Sequence, residues 1–124
     1  MDKVYLELFE AIARSVELTA EQALEYETKQ NNDEGKRAAT IMRDDFSKLH
    51  DKIKNGETLL RADFAKLFVG AWTVTQGLER RKQALEKSLN GYKIDTMPKL
   101  NRIIDETKTD EEAQKLAEEI FANT

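Results

Sequence analysis

A chain whose apolar residues recur every three or four positions over many turns has little choice but to form a long amphipathic helix. From Asp2 to about Gln30 that spacing is kept by Tyr5, Leu8, Phe9, Ile12, Val16, Ala20, Ala23 and Tyr26, with glutamates on the opposite face. Roughly 29 helical residues span about 43 Å at ~1.5 Å each, so the spacing predicts an elongated molecule. Asn31-Asn32-Asp33-Glu34-Gly35 interrupts the pattern with turn and capping residues. From Lys36 a second apolar series, Ala39, Met42, Phe46, Leu49 and Ile53, runs to a stop at Asn55-Gly56, where Gly56 suits the left-handed position after a helix end.

A third series opens near Thr58, a candidate N-cap, and holds Leu60, Phe64, Leu67, Ala71, Val74, Leu78, Leu85 and Leu89 at helical spacing up to Asn90-Gly91. This reads as a second long helix, about 31 residues at 3.6 per turn. Ala65, Phe68 and Trp72 lie roughly 100° round from its Leu60/Leu67/Val74 line, and Val69 lies further still. A helix apolar over that much of its circumference is expected at the centre of the fold, less deeply after Arg81 interrupts the stripe. Next, Asp95 or Thr96 can cap a short helix to about Glu106 whose first turn tolerates Pro98. Thr109 and Glu112 form a capping box ahead of a last short helix with Ala113, Leu116, Ala117, Ile120 and Phe121 on its apolar face. Alternating β-branched runs and internal repeats are absent from the sequence.

The expected fold is therefore all-α: an elongated antiparallel bundle of three main helices, the first and third long, in up-down-up order. Two short C-terminal helices fold back on the third. The expected core is Ile12, Val16, Met42, Phe46, Leu49, Leu60, Phe64, Leu67, Ala71, Val74 and Leu78. The second helix reads about ten residues shorter than its neighbours, so the C-terminal pair or a second subunit must cover the remainder.

A length of 124 residues suits one domain. Cysteine is absent, which excludes disulfides, thiolate metal sites and thiol catalysis. The expected location is cytoplasmic, since the first residues lack a leader's basic and apolar regions and no stretch approaches the ~20 apolar residues of a membrane span. Twenty basic side chains nearly cancel 24 acidic ones. Their distribution says more: residues 1–35 carry three basic and nine acidic, 36–56 six and three, 57–91 six and four, and 92–124 five and eight. Acidic ends beside a basic middle can neutralise one another within a bundle.

Catalytic chemistry finds little support. His50, the single histidine, precedes Asp51 and so is similar to the metal-binding pair of the HD phosphohydrolases, which need further histidines that this chain does not have. A ferritin-like di-metal bundle needs Glu-x-x-His, but Ser47 stands three residues before His50. Glu7-x-x-Glu10 matches half of the magnesium pattern of the all-α nucleotide pyrophosphohydrolases, and the Glu-x-x-Asp half is missing. Ser47 and His50 are one turn apart without an orienting third group or oxyanion donors. No catalytic, metal or cofactor residue is assigned, and the chain is not expected to be an enzyme.

Two features suit binding. Gly70 and Gly77, seven residues apart with Thr73 between, form a stripe that invites close approach, because glycine inside a helix costs about 1 kcal/mol relative to alanine. A neighbouring helix of the same chain, a partner helix or a self-association seam would each explain it. Arg80, Arg81, Lys82 and Lys87 could meet Lys36 and Arg37 if the second and third helices pack antiparallel, making a cationic patch for phosphate or an acidic partner. The expected function is a non-catalytic protein-interaction module, an adaptor, complex subunit or small inhibitor, with a homodimer slightly favoured over a monomer. A nucleic-acid or phosphate binder is the alternative and a small metal-dependent enzyme the third. Nucleic acid is the weaker partner, because Asp110, Glu111, Glu112, Glu118 and Glu119 crowd the helix that would have to read it.

Overall fold

The computed structural model describes residues 2–77 and 92–122. Among them are five α-helices and no strand: α1 Lys3–Lys29, α2 Asp33–Lys54, α3 Arg61–Gly77, α4 Tyr92–Glu106 and α5 Asp110–Ala122. The fold is the expected all-α antiparallel bundle. Its longest described helix, α1, has 27 residues, about 40 Å at ~1.5 Å per residue. The expected continuation of the third helix to Leu89 falls outside the described residues.

Local chemistry sets the ends of α1 and α2. Asp2 caps α1, its carboxylate accepting from the Val4 N–H at 2.9 Å. At the other end Asn31 adopts a left-handed φ of 55°, and the N–H groups of Asn31 and Asn32 donate to the carbonyls of Thr28 and Glu27. That is a Schellman ending, with asparagine in the place glycine usually takes. Asn32 then serves twice, since its side chain accepts from Gly35 N–H at 3.1 Å and caps α2. So short a turn leaves α2 no course but back along α1. The α2 end repeats the motif, with Gly56 at φ 71° and Gly56 and Glu57 donating to Ile53 and Lys52. Because α2 begins at Asp33 it has 22 residues, five fewer than α1, rather than the expected ten.

Contacts fix the helix directions. Glu10 meets His50 and Glu27 lies over Gly35, so α1 and α2 run antiparallel. Phe9 packs on Phe64 and Val16 lies at Gly70, so α3 runs parallel to α1. The up-down-up order holds, with α1 and α2 packed along much of their length and α3 set chiefly against α1 and α4.

Two expected caps differ. Thr58 does not cap α3. Leu59 is buried, which draws the linker into the core, and the helix starts at Arg61. Its cap is Asp63 reaching back to the Leu60 N–H at 2.8 Å while also binding Lys52 Nζ at 2.5 Å. Nor do Asp95 or Thr96 cap α4, which already begins at Tyr92 and holds Pro98 in its interior rather than its first turn. Proline has no N–H to donate, so Ile94 loses its usual helical partner. Before α5, Thr109 caps as expected through Glu112 N–H at 3.2 Å. The Glu112 carboxylate returns to Lys108 N–H at 2.9 Å, one residue earlier than a standard capping box.

The core lies towards the end where α1 begins. Phe9 meets Phe64 edge-on at 6.3 Å and Phe121 at 5.2 Å, and Tyr5 stands 4.5 Å from Phe121, between ring centroids. These separations fall in the favourable range for aromatic pairs. Leu67, Leu100, Ile103, Ala113 and Ala117 belong to the same buried cluster. Arg61 locks the C-terminal pair onto α3: its guanidinium donates to the Ile104 and Thr107 carbonyls, both at 2.7 Å, and its N–H to Asp110 at 3.2 Å. The last carbonyls of α4 thus receive a cation as well as donors.

Of the expected core, Ile12, Val16, Phe46, Leu49, Phe64, Leu67 and Ala71 are buried. Met42 and Leu60 are not, at 39% and 37% exposure. Buried Ala20 and Ala39 already supply α1–α2 packing near Met42's level, and Leu60 precedes the first turn of α3. The Val74 side chain and Leu78 lie outside the described part.

Candidate functional site

A β-carbon on Gly70 would stand 2.9 Å from Phe46 Cε1 and 3.0 Å from Val16 Cγ2. The close approach expected of this residue is therefore made within the chain, by α1 and α2 together. Thr73 is half-buried and its hydroxyl donates to the Val69 carbonyl at 2.8 Å, while the surroundings of Gly77 lie outside the described part. Lys36 Nζ lies 3.3 Å from Asp33 and Arg37 is exposed. Arg80, Arg81, Lys82 and Lys87 lie outside the described residues, as does any meeting with Lys36 and Arg37.

The contact of Val16, Phe46 and Gly70 marks one level of the bundle, and apolar surface is exposed around it. Leu18 is 40% exposed, Ile41 57%, Met42 39%, Val69 57% and Trp72 55%. Each is within about 8 Å, measured along its own helix, of a residue in that contact, given a rise of ~1.5 Å per residue. The cause is visible in α3. Its Phe64/Leu67/Ala71 line is buried, and Val69 and Trp72 stand well round from it. A helix this apolar is expected at the centre of the fold, but α3 leaves these two side chains open to water.

His50 has a partner that its own helix could not reveal. Its Nε2 is 3.1 Å from Glu10 Oε1, across the α1–α2 contact and 40 residues away in sequence. One glutamate of the Glu7-x-x-Glu10 pattern is thus engaged with the histidine. Among the described residues, no group of three or more histidine, aspartate or glutamate side chains could hold a metal ion, and no helix is long and apolar enough to cross a membrane.

Among the described residues the two buried acidic ones, Glu17 and Asp63, each have a short ion pair. Glu17 accepts from Arg14 at 2.6 Å, and Asp63 has Lys52 together with the Leu60 N–H. The Asp63 arrangement ties α2 to the start of α3, and the Arg14–Glu17 pair lies within α1. Comparison with protein-family models, curated proteins and solved structures finds no match.

Proposed function

We propose that this chain is a non-catalytic protein-interaction module that binds a partner protein through the apolar surface around Trp72 and Val69. The observation that carries the reading is the exposure of Val69 and Trp72, three residues apart on the side of α3 away from its buried line, the latter being the chain's one tryptophan. Single exposed apolar residues are ordinary, but tryptophan and methionine are enriched where proteins meet and tryptophan is frequent among the residues that dominate binding energy. The alternative, a phosphate- or nucleic-acid-binding protein, rests on Lys36 and Arg37 together with Arg80, Arg81, Lys82 and Lys87, and these last four lie outside the described residues. A second copy of the chain is one candidate partner.

The test compares wild type with Trp72→Glu/Val69→Glu as baits in an extract of the native host, with the mass of each in solution measured alongside. Loss of a retained protein, or of a dimer, in the variant at unchanged helicity supports the proposal. The same captured proteins and the same mass for both baits refute it.

A further inference from the structure

A second surface, sharing no residue with the first, joins apolar lining to concentrated charge. Between the α2–α3 linker and α5 runs a groove of about 390 Å³, open along one side and lined mostly by carbon. Leu60, 37% exposed, is its large apolar side chain. Thr58, Gln114 and Lys115 line it as well. Three carboxylates, Asp110, Glu111 and Glu118, border it against the single cation Lys115.

Asp110, Gln114 and Glu118 follow one another at four-residue steps, so they line one edge of α5 for about 12 Å, the length of three or four extended residues. Asp110 accepts from the Arg61 backbone N–H at 3.2 Å and Glu118 from Gln114 Nε2 at 2.8 Å. Both donors are neutral, so they orient the carboxylates without cancelling their charge. The Arg61 guanidinium is engaged with the Ile104 and Thr107 carbonyls. The helix dipole accounts for acids in the first turn of α5, but its effect is confined to about one turn and does not account for Glu118.

We propose that this groove docks a short basic segment of a partner protein, with an apolar side chain against Leu60 and flanking arginines or lysines against Asp110, Glu111 and Glu118. The complementarity is twofold, apolar to apolar and cation to carboxylate, and the size suits a few side chains rather than a folded surface.

The probe is the fluorescein-labelled hexapeptide Arg-Leu-Arg-Arg-Leu-Arg, titrated with the full chain and followed by anisotropy. Saturable binding that weakens with added salt is expected, tighter than that of hexa-arginine. Glu111→Lys/Glu118→Lys should weaken it about fivefold or more at low ionic strength. Glu21→Lys/Glu25→Lys makes the same change in net charge on α1 and should alter it less than about twofold. Leu60→Ser should also weaken it, and because Glu111 and Glu118 are exposed, the charge variants decide the matter should Leu60→Ser disturb the fold. No saturable binding, equal binding of hexa-arginine, or equal weakening by the two charge reversals would each overturn the proposal.

Discussion

Replacing Gly70 by alanine sets two opposed effects against each other. Alanine in a helix interior gains about 1 kcal/mol over glycine. Its β-carbon, however, would lie 2.9 Å from Phe46 Cε1 and 3.0 Å from Val16 Cγ2, whereas carbon atoms pack best at about 3.5–4.0 Å. Phe46 and Val16 are both buried, so a shift of about half an ångström must spread into the α1–α2 contact, at the ~1–3 kcal/mol typical of overpacking. The net expectation is a loss of about 0–2 kcal/mol, or roughly 3–6 °C in Tm per kcal/mol for a domain of this size. Gly70→Leu, which forces three more carbons into the same contact, should cost more than about 3 kcal/mol. Gly35 is the internal control. A β-carbon there would meet only the Glu27 side chain, from Oε2 at 2.5 Å to Cγ at 2.8 Å, which is half-buried and must rotate as a whole to make room, so Gly35→Ala should cost less than Gly70→Ala. Urea unfolding followed by circular dichroism reads all three variants. If Gly70→Ala gains the full helix-propensity increment, the close approach is wrong. If Phe46→Leu does not relieve the loss in a double-mutant cycle, Phe46 is not its source.

Three further outcomes follow from the same packing. Asp63→Ala removes the α3 cap and strands Lys52, so it should cost about 2–3 kcal/mol in urea unfolding, and a loss below about 0.5 kcal/mol would contradict that double role. Arg61→Ala leaves the terminal carbonyls of α4 short of donors and should destabilise by about 2–3 kcal/mol; amide exchange in α4 and α5 should quicken before that in α1 and α2, and uniform quickening would refute the docking role. Leu67→Ala should cost about 2–5 kcal/mol and Met42→Ala less than about 1 kcal/mol, an order that equilibrium unfolding checks directly.

The sequence alone determined where helices form and how several of them end, because those outcomes depend on residues a few positions apart. The apolar spacing from Tyr5 to Ala20, the left-handed Gly56 and the Thr109 cap are all local, and each stands in the structure. The identity of each neighbour was not local. Met42 and Ile53 sit in the same apolar series, yet Ile53 is buried and Met42 exposed, because periodicity says which way a side chain points and not whether another helix carries atoms at that level. The α3 cap moved from Thr58 to Asp63 once burial of Leu59 decided the path of the linker. Glu10 found His50 across 40 residues, and Arg61 found Ile104 across 43. Of the candidate surfaces, the glycine stripe was legible because glycine is costly inside a helix, but only tertiary packing supplied Phe46 and Val16 as the groups that fill it at Gly70. The groove beside Leu60 had no sequence signal at all, since its two walls lie about fifty residues apart and become one surface only when α5 docks against the start of α3.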